Sequence, residues 1–295
     1  NAAGGTAEDR FFGAVFAVAS VAGPLLGGSL TTHLSWRWIF YVNLPLGLLA
    51  LGVVAAALPA AAPRARRAVD WAGAGLLAVA LAALVLVTDL GGVHVAWSSP
   101  TIVALGALAV ASLVGFVRVE QRAAEPVLPP RLFRERAFTT SAAVGLVVGF
   151  ALFGAATYLP LWLQVAKGAS PTASGLRMLP MMGGTLVASI VAGQLISRTG
   201  RYKRFPVVGT ALAATGLALL SRLDADTSLG AAAGMMLLLG LGLGLTMQVL
   251  VIAVQNAVPY TDLGVATSGT LLFRLVGGSL GTAVLGAIFA AGLTR

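Results

Sequence analysis

The sequence predicts an all-α, polytopic membrane protein. Of its 295 residues, 58% are hydrophobic and only 10% are charged, and the mean hydropathy is +0.93. Soluble domains carry roughly 25% charged residues. The apolar residues also fall into runs of about 20, the length of a helix that crosses a bilayer. The chain has no cysteine, which excludes disulfides, a thiolate nucleophile and cysteine-ligated metal.

Nine such runs predict nine membrane spans. In chain order they extend from Phe11 to Thr31, Trp38 to Leu58, Trp71 to Leu90, Thr101 to Val119, Ala137 to Val165, Met178 to Ile196, Pro206 to Leu220, Gly230 to Ala253 and Ala266 to Ala291.

The net charge of +9 reflects membrane topology rather than nucleic-acid binding. The basic residues form short clusters between apolar runs instead of one amphipathic face. With Asn1 in the cytoplasm, thirteen of the nineteen basic residues fall inside and five outside, while Arg274 lies within the last span. The positive-inside rule therefore selects this orientation.

The first span contains "AGPLLGG", with Pro24 between glycines. Proline costs roughly 3 kcal/mol in a helix interior, but a neighbouring helix can satisfy the freed carbonyl. Ala19, Gly23 and Gly27 recur every four residues, which makes one smooth stripe, and Gly28 adds a further small residue. The stripe predicts a close helix contact; ordinary lipid-facing residues are the alternative.

Four stretches resemble the major facilitator superfamily, and specifically its fourteen-helix drug:proton antiporters of the EmrB/QacA type. "AVASVAGPLLGG" with "LSWRWIFYVNLPLG" is similar to the antiporter motif and the following helix, although Ala19 stands where the motif usually has glycine. "YLPLWLQVAKGASPTASGLRMLP" resembles the seventh helix and its outer loop, and "SGTLLFRLVGGSLGTA" the eleventh helix. "GQLISRTGRYKR" resembles a cytoplasmic loop signature, through Gly193, Arg198, Gly200, Arg201 and Arg204. Ser197 stands where that signature often has aspartate.

The resemblance implies which parts of the fold are present. Residues 1–60 correspond to helices five and six at the end of the N-terminal half. Residues 61–136 hold two extra central helices and a cytoplasmic linker, and residues 137–295 hold helices seven to eleven. The first four helices and the last are then outside this chain, which we expect to be a partial fold of nine helices that cannot transport alone.

The resemblance also implies a function. The leading hypothesis is proton-coupled efflux of lipophilic drugs or related small molecules by alternating access, in a bacterial plasma (inner) membrane. The implied partners are the bilayer, a lipophilic substrate and protons, with no nucleic acid, no cofactor and no metal. A solute importer of the same fold and a non-transporting membrane protein or membrane enzyme are the alternatives. No catalytic cluster supports an enzyme.

Polar residues inside the spans could line a cavity or gate, although helix-to-helix hydrogen bonding is the more frequent use of such groups. Arg274 is a functional cation or an anchor that snorkels to the interface from the first turns of its span. "GLGLG" at 240–244 lies within a span, so it is not a dinucleotide loop. The polar set is Ser20, Asn43, Thr157, Tyr158, Gln164, Gln194, Thr246, Gln248, Gln255 and Asn256.

Three local features give structural expectations. A second small-residue stripe, Gly184, Ala188 and Ala192, is expected to face the stripe of the first span. Ser170 before Pro171 has the order of a helix N-cap and a first-turn proline, so a helix should begin at Pro171. The stripe of Gly277 and Gly281 on the last span is expected to lack a partner within the chain, because its partner in this fold is helix two.

Overall fold

The computed structural model describes residues 22–23, 26–31, 33–35, 37–57, 70–91, 95–123 and 125–293. These residues form helices joined by short connections, and an isolated bridge between Gly91 and Val95 is the one β feature among them. Two short 3₁₀ turns span Pro130–Arg134 and Tyr260–Asp262. The helices are α1 Trp38–Tyr41, α2 Asn43–Ala57, α3 Trp71–Leu90, α4 Pro100–Glu120, α5 Arg136–Val165, α6 Pro171–Arg177, α7 Leu179–Thr199, α8 Arg204–Leu220, α9 Leu229–Gln255 and α10 Leu263–Leu293.

The all-α membrane class is confirmed. Seven helical segments of the described residues are long and apolar enough to cross a membrane, and α8 is a shorter apolar helix. At 1.5 Å per residue, the 17 residues of α8 span about 25 Å, slightly less than a bilayer core of about 30 Å. The predicted first span lies mostly outside the described residues. In its described part, residues 26–31 are helical. The described residues therefore contain one apolar helical segment fewer than the nine predicted spans.

Helix α9 lies between α7 and α8, and glycines on its two sides make this possible. A Cβ at Gly240 or Gly244 would clash with the carbonyls of Met181 and Thr185 in α7, and one at Gly242 would clash with α8. Residues two apart on a helix differ by about 200°, whereas residues four apart share a face. The "GLGLG" stretch is thus a two-sided packing surface in mid-helix. Its position within a helix agrees with the prediction that it is not a dinucleotide loop.

Helices α5 and α10 pack along each other through a second set of glycines. Gly277 lies against the carbonyl of Leu146, and a Cβ at Gly281 would come within 2.5 Å of the carbonyl oxygen of Phe150. The expectation that this stripe lacks a partner within the chain was wrong. Because α5 also offers small residues, the backbones of α5 and α10 approach closely and fill the stripe.

Serine and glycine fix the helix ends on both sides of α6 and α7. The Ser170 hydroxyl accepts from the backbone N–H of Ala173, and α6 begins at Pro171, which confirms the predicted cap. Gly200 ends α7 with a φ of 66°, and its N–H donates to the carbonyl of Ile196. A left-handed residue at this position is the usual glycine helix stop.

The remaining helices are less enclosed. Helices α3 and α4 pack mainly against each other, and α3 also touches α10. The Glu120 carboxylate at the end of α4 is buried and accepts from the backbone N–H groups of Val127 and Leu128, which fixes the following connection. The segment Trp38–Ala57, which contains α1 and α2, buries none of its side chains against the described part of the chain. The packed core is therefore formed by α5 and α7 to α10.

Candidate functional site

A cavity of about 150 Å³ lies where α5, α9 and α10 meet, inside the membrane-spanning bundle. Its walls are mostly apolar, with one cationic side chain and two threonines. The lining residues are Gly145, Met247, Leu250, Val251, Thr267, Thr270, Leu271 and Arg274.

Arg274 is the one charged residue in this lining. It follows the first residue of α10, Leu263, by 11 positions, which places it about 16 Å along the helix axis. It also stands eight residues after Ala266, where the predicted span begins, and α10 begins only three residues before that. Whether Arg274 is a functional cation or an anchor stays a prediction.

The position of Arg274 is fixed by the backbone of α5. A Cβ at Gly149 would overlap the Arg274 carbonyl, and one at Gly145 would lie 3.5 Å from the carbonyl oxygen of Thr270. Glycine at both positions brings α5 directly against the cavity face of α10. The guanidinium is half-buried, and among the described residues no carboxylate lies within ion-pair distance of it and no acceptor receives a hydrogen bond from it.

Sequence reasoning missed Thr267, Thr270 and Leu271 as companions of Arg274. These residues precede Arg274 by seven, four and three positions, so they lie on the same face of α10. That spacing is the signal that would have found them. The Thr270 hydroxyl donates to the carbonyl of Ala266, whereas the Thr267 hydroxyl accepts from Gln255 Nε2 at 3.3 Å.

Three predicted cavity residues are not among the residues that line the cavity. Thr246 is completely buried at the contact of α9 with Gly209 of α8, and its hydroxyl donates to the carbonyl of Gly242. Asn43 is exposed and donates to the carbonyl of Ile39, which joins α1 to α2. Gln248 is exposed on α9, directly after the cavity residue Met247. Of these three, Gln248 stays next to the cavity.

Tyr158 and Gln164 connect helices instead of lining the cavity. The Tyr158 hydroxyl donates to the carbonyl of Thr282 at 2.9 Å, which joins α5 to α10. Gln164 donates from Nε2 to the hydroxyl of Ser174 at 3.1 Å, which joins the end of α5 to α6. These contacts are the helix-to-helix hydrogen bonds given above as the more frequent use of such residues.

The two small-residue stripes do not face each other. A Cβ at Gly184 would meet the carbonyl oxygen of Leu237 at 2.8 Å, so this stripe packs against α9. Its other members follow the same face: Ala188 lies beside Gly244, and Ala192 is completely buried. The expected pairing was wrong because α9 carries its own glycines on the side that meets α7.

The first span is described only in part. Ala19 and Pro24 lie outside the described residues, and a Cβ at Gly23 or Gly27 would meet no described atom within 4 Å. Gly28 lies against the backbone of Thr172 in α6. The role of this stripe in transport stays a prediction.

The loop signature lies at the connection between α7 and α8. Gly193 and Arg198 are in the last two turns of α7, and Gly200 forms the turn described above. The N–H of Arg201 donates to the hydroxyl of Thr199, and Arg204 begins α8. The signature therefore places its three arginines around one tight, glycine-dependent turn at the membrane surface.

At the opposite surface, the connection between α8 and α9 is ordered by Asp224. Its carboxylate accepts from the Thr227 hydroxyl and from the N–H groups of Thr227 and Asp226. The pKa of Asp224 is lowered, chiefly by the side-chain hydrogen bond from Thr227 and then by the backbone N–H of Thr227. Lys167 from the neighbouring loop donates to the carbonyl of Ala225. The two outer loops of the bundle are thus joined.

Comparison with known proteins places these helices in a family. The Major Facilitator Superfamily model matches residues 11–282. An uncharacterized MFS-type transporter of Mycobacterium tuberculosis is 50% identical over 96% of this chain and 41% of its own length. The multidrug transporter protein MdtP of Bacillus subtilis is 39% identical over 94% of this chain and 51% of its own length. The efflux pump aunC of Aspergillus niger is 36% identical over 95% of this chain and 55% of its own length.

The chain spans about half the length of the curated relatives it matches. The matched residues include every helix from α1 to α9 and most of α10. They therefore contain the cavity and the bundle that surrounds it. The chain belongs to the Major Facilitator Superfamily, a family of multi-pass membrane transporters rather than enzymes.

Proposed function

We propose that this chain is part of a proton-coupled exporter of lipophilic drugs or related small molecules, located in a bacterial plasma membrane. The observation that carries the proposal is the mostly apolar cavity at the junction of α5, α9 and α10, with a single cation in its lining. Apolar walls with a few polar groups are typical of small-molecule sites. The names of the relatives, a multidrug transporter and an efflux pump, support export as its use.

The subfamily assignment extends this proposal. The described helices follow the order expected of helices six, the two extra central helices and seven to eleven of a fourteen-helix antiporter. The mutual packing of α3 and α4, outside the packed core, supports their assignment as the inserted central pair. In this assignment, residues 1–60 are the last part of the N-terminal half, and residues 137–295 form most of the C-terminal half.

The bundle architecture supports transport by alternating access. Transporters of this kind expose a central site by rocking one helical half against the other. Helices α5 and α7 to α10 form one closely packed unit, while Trp38–Ala57 buries no side chain against it. The bundle therefore has the construction of one moving half, with the cavity on it.

The test uses the native protein that contains these residues, at full length, in proteoliposomes with an acidic interior and the lipophilic cation rhodamine 123 outside. An antiporter should concentrate the dye inside as protons leave, and nigericin, which collapses the pH gradient, should abolish the accumulation. Protein-free liposomes are the control. Equal dye movement with and without the gradient would contradict proton coupling, and no protein-dependent movement of rhodamine 123 would contradict export of this lipophilic cation.

A further inference from the structure

The cavity contains a cation whose charge nothing nearby in the described chain neutralises. An unpaired charge in a low-dielectric interior is costly, and intramembrane cations usually pair with a counter-charge or mark a ligand path. We propose that Arg274 forms an anion subsite, in which its guanidinium holds the carboxylate of a lipophilic, acidic substrate. This proposal deepens the export function proposed above and rests on it.

Within the described ranges, no acidic side chain forms an ion pair with Arg274. The sequence has ten acidic residues, and Glu8 and Asp9 precede the first predicted span. On its own helix the nearest acid is Asp262, which precedes Arg274 by 12 residues, about 18 Å of helix axis, and which already pairs with Arg131 at 2.8 Å. Glu120 is likewise satisfied by backbone N–H groups at the end of α4. The counter-charge must therefore come from outside the described bundle.

Guanidinium chemistry selects a planar oxyanion. Arginine keeps its charge at every relevant pH and presents a fork of donors that matches a carboxylate in two parallel hydrogen bonds. The low dielectric of the cavity strengthens such a pair relative to water. A cationic substrate group would instead be repelled at close range.

The other walls fit the hydrocarbon next to such a carboxylate. Met247, Leu250, Val251 and Leu271 line the cavity with flexible or branched apolar side chains, and methionine adapts to ligands of different shape. The volume of about 150 Å³ is below the roughly 300 Å³ or more of a site that encloses a drug-sized molecule. The cavity is therefore sized for the acidic end of a substrate, and the rest of the molecule extends outside it.

The glycines of α5 keep this subsite in place. Because Gly149 lies directly against the backbone of Arg274, α10 cannot rotate to turn the guanidinium towards lipid without separating the two helices. In this subsite Arg274 is a functional cation rather than an anchor.

The experiment compares two xanthene dyes of similar size and shape, anionic fluorescein and cationic rhodamine 123. The full-length native protein and its Arg274→Gln and Arg274→Lys variants are purified, and dye binding is titrated by fluorescence anisotropy. Transport is measured in the proteoliposomes described above by filtration. Arg222→Gln, an equal charge change at the exposed outer end of α8, is the matched control.

We expect Arg274→Gln to weaken fluorescein binding about tenfold or more, the scale for loss of a hydrogen-bonded charge partner, with rhodamine binding changed less than twofold. Arg274→Lys should retain part of the fluorescein affinity, and Arg222→Gln all of it. Retained rhodamine binding shows that a variant is folded. Equal fluorescein affinity in the native protein and Arg274→Gln would overturn the subsite. A parallel loss of affinity for both dyes would also overturn it, because that result is expected if Arg274 pairs with a carboxylate elsewhere in the protein.

Failure of the export function gives a different result. If the native protein moves neither dye but binds fluorescein in an Arg274-dependent way, the anion subsite stands and export is wrong. If rhodamine 123 is exported and the affinity for fluorescein does not depend on Arg274, the export function stands and the subsite is wrong.

Discussion

The contact between α5 and α10 gives a quantitative test of the glycine packing. In Gly281→Ala, the added Cβ would lie 2.5 Å from the carbonyl oxygen of Phe150, whereas ordinary contacts begin at 3.4 Å. The two helices must therefore separate by about 0.9 Å, and a gap of 0.5–1 Å forfeits a quarter to a half of the dispersion energy of each contact across it. Overpacking of this kind costs about 1–3 kcal/mol.

The same helix offers a matched control. Gly264→Ala adds the same methyl group to α10, where a Cβ would meet no described atom within 4 Å. Both changes replace glycine by alanine within α10, and because Gly264 lies in the first turn, only part of the gain in helix propensity, up to about 1 kcal/mol, cancels in the difference between them. We expect Gly281→Ala to be about 1–3 kcal/mol less stable than Gly264→Ala.

The assay is reversible unfolding of the full-length protein in mixed detergent micelles, followed by tryptophan fluorescence. The free energy of unfolding is compared between the two variants at one detergent composition. Equal stability of Gly281→Ala and Gly264→Ala would refute the close backbone contact between α5 and α10.

Two further predictions concern the outer loops. Ser170→Ala removes the cap of α6 and should cost about 1 kcal/mol in the same unfolding assay; an unchanged free energy would contradict the cap. Thr227→Val removes the main cause of the lowered pKa of Asp224. A lowered carboxyl pKa stabilises the fold above the ordinary value, near 4, and this contribution disappears as pH falls through the folded pKa. The melting temperature of the native protein should therefore exceed that of Thr227→Val most above about pH 5, and a gap that grows towards pH 3 would contradict the assignment.

Span length and helix ends could be predicted from the sequence because each depends on local chemistry. Apolar runs marked the long helices to within a few residues, α10 included. Ser170 identified the start of α6, and Gly200 stands at the end of α7 in a conformation that glycine adopts readily. Such signals act over one or two turns and need no knowledge of neighbouring helices.

The partner of each small-residue stripe could not be predicted in the same way. Gly184, Gly240, Gly277 and Gly281 are chemically equivalent, and any two such stripes could pack together. Their actual pairs are set by which helices the bundle brings side by side, so α7 meets α9 and α5 meets α10.

The packing also indicates where conformational change can occur. Within the bundle, carbonyls of α5 and α7 lie against glycines of α10 and α9, so sliding one helix past another would force backbone atoms together. In contrast, α3 and α4 meet α10 around a groove of about 460 Å³ lined by side chains such as Leu81, Leu113 and Phe273, which can repack at less cost. Closely packed units move as rigid bodies, and motion is concentrated at looser contacts. We therefore expect the cavity around Arg274 to keep its shape through a transport cycle, with access to it controlled by movement of the parts of the protein outside the bundle.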